Sequence, residues 1–587
     1  MNARVKTLSA VYLLLVCLPV AAQPDILSAV PGDAYGFAAT KNLQGSYDKI
    51  MAFAQAMGIP ASDENQLLTI HEHLGQVDLN GPAAVILLDP EEFPEEPVAL
   101  LFSAADAVAV VDSLKSETAE SLPSGVVKGA DGYLAVKNGL VVFAPGPKQV
   151  IAVLAGQTSL ETMPAVNAAF EQGQIVLAGD VQRARPWITQ KLNVAKTKMT
   201  DQMAEAPMAQ MTIAADIFSW EIDLAQSLIK QTDKLMLTLD LTADRAVLTK
   251  QVLFEADSPA AEFMNSQIGQ SAPTYNALPA GPFLMAAGAN VATEQVQSLT
   301  RSILEQLMNL PSFKEKVSAE QVQRMIDDSV AVNSQVSGFA LTANLGNPMT
   351  GMINMVARSD VLDAATQKEL SRRMYESQGA AVYAGAWGMP MEYVYTSAAE
   401  AYSDVQIDTV KMQINPPAEG AEPDPMMAQQ MQMMAVIYGP DMTFRVAAPT
   451  DKQMLFTVGG GSELMERAIN VAQGNGSDLA DQPKLKQAAA SLPANRFAEA
   501  HLDIGQVMPM IMMLAMAGGG GQPGAMPPGS SMQSPPISLS CSADTHTFRT
   551  DVVVPSATIK SLVEAIGPMM FQGGMGPGGS EPPGEEF

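Results

Sequence analysis

The chain has 587 residues, long enough for at least two domains of about 100–200 residues each, and 47% of its side chains are hydrophobic but only 5% aromatic. Its 62 acidic against 34 basic residues give a formal charge of −28, which argues against nucleic acid and anionic lipid headgroups as direct partners, since both are held by clustered Lys and Arg. With only two cysteines, Cys17 and Cys541, and the first inside a candidate leader, the processed chain has no intrachain disulfide to rely on.

That leader comes first in chain order. Arg4 and Lys6, an apolar run over 8–16, and Val20-Ala21-Ala22 before Gln23 are the three parts of a cleavable signal peptide, 1–22. The chain is therefore expected to be exported, and to be periplasmic or extracellular after cleavage near Ala22. The run is shorter than the roughly 20 apolar residues a bilayer span needs, so no stable membrane span is expected in the mature chain. Leu15-Val16 before Cys17 lacks the small residues that precede a lipidated cysteine.

Three blocks then recur in order, which predicts a tandem duplication. In the first, Val30-Pro31 precedes a strand and a helix over 46–57, and Leu278-Pro279 precedes a strand and a helix over 293–308. In the second, the strand 140–144, a Pro-Gly-Pro turn and a helix over 148–155 correspond to 455–458, a triple-Gly turn and 462–472. Each is followed by a strand ending in Asp, Asp180 or Asp503, with a Pro six residues on, at Pro186 or Pro509. The third block is a hairpin turning at Ala243-Asp244 or Ala543-Asp544, then a helix over 259–268 or 556–566. Between the first two blocks each half carries another hairpin and a helix, over 104–117 and 360–376. The predicted fold class is α+β, in two homologous halves at 23–270 and 275–567, each a mainly antiparallel sheet with helices packed on one face.

Two stretches read as disordered, because Gly and Pro without periodicity cannot offset ordering entropy: an insert at 517–536 and the tail 568–587. The segment 416–425 reads as a rigid acidic linker.

Candidate chemistry is sparse. Of the four histidines, His71 and His73 are closest, but the run around them reads as helical, where residues two apart diverge and do not chelate one ion. His501 falls in a strand and His546 in a turn, where surface or hydrogen-bonded roles are the default. Gly459-Gly460-Gly461-Ser462 sits where a phosphate loop belongs. Its counterpart, Pro145-Gly146-Pro147, has few N–H groups to offer, so a tight turn explains both. The acidic run 89–97 lacks EF-hand spacing and reads as a solvated hairpin tip. Asp180 and Asp503 read as helix N-caps, and Cys541 as a half-buried strand thiol. Two methionine clusters, at 426–434 and 508–516, suit packing or an adaptable partner face better than Cu(I).

The opening Ala29-Val30-Pro31 with Tyr35, returning as Ala277-Leu278-Pro279, resembles the starts of large uncharacterised exported proteins of planctomycete-type bacteria that carry a domain of unknown function. The resemblance implies a Gram-negative-type envelope location and brings no activity and no site residues with it. No catalytic, cofactor-binding or metal-ligating set is assigned and no cofactor is expected. The leading expectation is an exported binding or interaction module without catalysis, whose partner is an unknown protein or envelope ligand. The alternatives are a hydrolase-type enzyme with a carboxylate-based site and a Met-rich copper-binding protein.

Overall fold

The computed structural model describes residues 25–57, 78–116, 122–123, 125–130, 132–156, 159–160, 162–204, 209–314, 317–346, 350–377, 391–414, 434–439, 441–507 and 534–572. The leader, His71 and His73, the acidic linker, Met426, Met427, Met431, Met433, the 508–516 methionines, the insert up to residue 533 and the tail from 573 lie outside the described residues.

In the first run β1 (Gly36–Thr40) leads into α1 (Leu43–Ala56), whose N-cap Asn42 accepts from the Gly45 N–H at 2.6 Å. The hairpin β2 (Ala83–Leu87) and β3 (Val98–Ser103) precedes α2 (Ala107–Ser113), capped by Asp106. Then come β4 (Val127–Lys128), β5 (Tyr133–Lys137), β6 (Leu140–Ala144), α3 (Pro147–Ala155) and α4 (Pro164–Glu171), with proline opening both helices, where its missing N–H costs nothing. After β7 (Ile175–Asp180), two long helices, α5 (Val181–Ala204) and α6 (Ala209–Gln231), lead to the hairpin β8 (Thr232–Leu241) and β9 (Arg245–Phe254) and to α7 (Pro259–Gln267).

The second run opens with β10 (Met285–Asn290), α8 (Thr293–Met308) and α9 (Ala319–Asn333). The hairpin β11 (Val336–Leu345) and β12 (Ile353–Val361) precedes α10 (Ala364–Ser377). Next are β13 (Met391–Tyr402), β14 (Val405–Ile414), β15 (Thr443–Thr450), β16 (Gln453–Val458), α11 (Gly461–Ala472) and α12 (Pro483–Ala490). The run closes on β17 (Arg496–Leu502), β18 (Ile537–Asp544), β19 (Thr547–Pro555) and α13 (Ser556–Gln572). Because α13 continues to Gln572, residues 568–572 of the expected tail are helical. The end of the expected insert is also structured: Ser534 is buried, and the Pro535 carbonyl accepts from the Thr558 hydroxyl.

Every pairing is antiparallel. The first run has the order β4-β5-β6-β3-β2-β1-β7-β8-β9. The second has β13-β14-β15-β16-β12-β11-β10-β17-β18-β19. Apart from the additional β13 the two orders match strand for strand, and β9 pairs with β19 to join them into one 19-stranded sheet.

Side chains alternate between the two faces. In the first run Phe37, Ala39, Ile86, Leu101, Val142 and Val176 point to the face covered by α3 and α4, through Val150, Val153, Val166 and Phe170. The alternate residues Leu100, Phe102 and Val141 pack instead under Val110 and Val111 of α2, beside Leu43 at the start of α1. The second run repeats both layers: α11 and α12 cover Ala286, Ala340, Val356 and Leu455, while α10 packs over Val410, Val446 and Met454. The chain is therefore α+β with helices layered on the sheet, the larger cluster on one face and a smaller one behind it.

Candidate functional site

On the α1 side of the sheet, beyond the reach of α2, the strands β2, β1, β7 and β8 form the floor of an apolar groove of about 480 Å³. Its shape follows from register. Gly36 pairs with both Leu87 and Gly179, and Gly179 with Leu235, so one row across four strands reads Leu87–Gly36–Gly179–Leu235. The next row is Val85–Ala38–Leu177–Leu237. Two glycines and an alanine keep the centre low, and leucines and a valine raise the flanks. Ile50 of α1 supplies a wall. Leu87 and Leu177 keep 36% and 41% of their surface exposed within this one apolar lining. No charged side chain lines the groove among the described residues. Two lining residues carry hydroxyls, Tyr35 and Thr40, and that of Thr40 is already engaged by Ser46 at 2.5 Å and the Asn42 carbonyl at 3.3 Å.

On the face of the second run that α11 and α12 cover lies a polar cluster that no local sequence pattern announces as a unit. The His501 ring, fully buried, places Nδ1 2.9 Å from Ser538 Oγ, and its Nε2 lies 3.4 Å from Glu499 Oε1 without hydrogen-bond geometry. Arg496 Nε donates to the other oxygen of Glu499, and its Nη1 to the Pro493 carbonyl at 2.7 Å. The Tyr275 ring stands edge-on to His501 at 6.0 Å between centroids. Burial raises the proton affinity of the Glu499 carboxyl, but His501 and Arg496 more than offset it and hold the group below the usual carboxylate range. Burial, then Glu499, pushes the Tyr275 phenol well above its ordinary value. Serine, histidine and glutamate in line are the parts of a nucleophilic relay. Here all three are 3% exposed or less, so a substrate cannot reach the serine, and the contacts tie β17 to β18 instead.

A wider cavity of about 1000 Å³ lies between α12 and the start of α13. Of its charged lining, Lys484 pairs with Asp503 at 2.5 Å, and Asp503 also accepts from the Gly505 N–H at 3.1 Å.

The residues singled out from sequence are dispersed. Asp180 accepts from the Arg183 N–H at 2.9 Å, as an N-cap does. The glycines 459–461 all have positive φ, between 63° and 68°, and a β-carbon on Gly459 would stand 2.3 Å from the Ile353 carbonyl oxygen, so a tight turn accounts for them. The acidic tip 89–97 holds itself through Asp89, which accepts from the Glu91 N–H, and Phe93, which is buried. Cys541 is a half-buried β18 residue whose thiol is pushed up by burial. Met434 packs with Met412, Tyr438 and Phe444. Among the described residues no three His, Cys, Asp or Glu side chains converge as a metal site would require, and no helix is long and apolar enough to cross a membrane.

No family model and no curated protein matches the chain. Among solved structures, crystal forms I, IV and III of TP0453 are similar, at 11%, 11% and 8% identity and TM-scores of 0.22, 0.23 and 0.21. They cover 40%, 40% and 50% of this chain and 80%, 81% and 99% of that one. At those scores the likeness carries no argument. The chain is α+β on one antiparallel sheet, with an apolar groove in its first run.

Proposed function

We propose that the chain is an exported envelope protein that acts by binding, and that its ligand is an uncharged apolar molecule seated over β1. The observation that carries this reading is the groove: its volume falls in the roughly 300–1000 Å³ range of small-molecule sites, and its lining is mostly aliphatic and carries no charge. A ligand carrying a charge would find no partner there, and an anion would also meet a surface at −28. The matching strand order supports a tandem duplication at 23–270 and 275–567, and the signal-like leader with the resemblance of the openings supports the envelope location.

A direct test is titration with the neutral dye N-phenyl-1-naphthylamine. Enhanced emission that saturates and is reversed by 1-hexadecanol is expected, with Ala38→Phe, which fills the floor, weakening it at least tenfold. Absence of any saturable enhancement by the folded wild-type chain contradicts the reading. Turnover of a polymer by purified protein would favour the carboxylate-based hydrolase.

A further inference from the structure

The matching registers allow each groove residue to be set against its counterpart. The Leu87–Gly36–Gly179–Leu235 row of the first run occupies the place that Ala343–Met285–Leu502–Ile537 holds in the second. The floor that is glycine twice in one run is methionine and leucine in the other, and the flanking Leu87 is replaced by alanine. One row is a trough and the other a ridge, built on the same backbone pairing. In the following row Ala38 and Ala287 match on the central strand while Leu177 stands against Ala500, so the glycine row is where the first run is the lower of the two.

The two glycines differ in why they are glycine. A β-carbon on Gly36 would lie 2.5 Å from the Ala178 carbonyl oxygen, too close for the β1–β7 backbones as they stand. One on Gly179 would meet nothing nearer than the Tyr35 carbonyl oxygen at 3.4 Å, an ordinary contact. Backbone crowding therefore accounts for Gly36 and leaves Gly179 without a packing reason to lack a side chain. The space above it is the groove.

Resting on the binding reading above, we infer that Gly36 and Gly179 are the specificity-determining residues of the groove, and that the chain takes one uncharged aliphatic molecule, in the first run only. Met285 and Leu502 close the equivalent position in the second run, which carries side chains where a ligand would lie. The neighbouring interior differs in the same way: the strand positions of Val176, Ala178 and Met236 are taken by Glu499, His501 and Ser538, so the second run has exchanged an apolar interior for the polar cluster.

The test is stoichiometry on the full chain, with N-phenyl-1-naphthylamine as probe and 1-hexadecanol or palmitate as competitor. The wild type is expected to bind one probe per chain and to release it to the alcohol at lower concentration than to the anion. Gly179→Leu is expected to weaken binding at least tenfold with an unchanged circular dichroism spectrum, and Met285→Gly with Leu502→Gly to raise the stoichiometry to two. If Gly179→Leu fails to fold, Ala38→Leu carries the same expectation. Binding by folded Gly179→Leu at wild-type affinity, two sites in the wild type, or one site in the folded double variant would each overturn the inference while leaving the binding reading in place. No binding by the wild type at all would remove that reading instead.

Discussion

Gly36 and Gly179 face each other across the β1–β7 pair, and only the first of them is held to glycine by its surroundings. Gly36→Ala is expected to force the strands apart and to cost about 1–3 kcal/mol, the usual penalty of overpacking. Gly179→Ala is expected to be neutral or to stabilise by about 0.5 kcal/mol, because alanine loses less backbone freedom than glycine in a strand. Urea unfolding of the two variants checks the contrast, and equal losses in both would refute it.

Thr249 and Asp551 form the side-chain seam between the runs. The Thr249 hydroxyl donates to Asp551 Oδ1 at 2.6 Å across the β9–β19 pair, and Arg549 donates to both oxygens of the same carboxylate. Asp551 is 1% exposed and Thr249 is buried beside it, so its loss strands the Thr249 hydroxyl. Asp551→Ala is expected to cost about 1–3 kcal/mol. A double-mutant cycle with Thr249→Val should show a coupling of at least about 0.5 kcal/mol, as contacting residues do. Strict additivity in urea unfolding would show that the seam is held by backbone pairing alone.

Glu499 gives the chain an acid-sensitive term. Its carboxyl titrates lower in the folded chain than in the unfolded one, because His501 and Arg496 outweigh the effect of burial. A depressed folded value means stabilisation that is fully present above the unfolded value of about 4.3 and lost as pH falls through the folded one. Glu499→Gln should therefore lower stability at pH 7 by about 3 kcal/mol, leaving Arg496 without its buried partner, and flatten the decline below about pH 4.3. Stability measured from pH 3 to 8 decides it: an unchanged acid limb in the variant would show that other carboxylates govern the decline.

Local structure was far more legible than the site. The helix expected over 293–308 is found as α8 with the same ends, and the turn at 459–461 and the cap at Asp180 have the geometry their residue types require. The cap at Asp180 marks where α5 starts, but the length of the α5–α6 pair was not legible, because Pro186, a residue that usually breaks a helix, sits inside α5. The groove was not legible at all. Its defining row draws on positions 36, 87, 179 and 235, brought together only by the register of four strands. Within each strand, a glycine among aliphatic residues reads as a weak point. The polar cluster was half legible: Glu499 and His501 alternate as residues sharing a face, but their partners Ser538 and Tyr275 come from elsewhere in the chain.

The most direct measurement is a crystal of the full chain soaked with 1-bromodecane and read by the anomalous signal of bromine. One site is expected, over Gly36 and Gly179 between Leu87 and Leu235. An empty groove, or bromine over Met285 and Leu502 instead, would contradict the account.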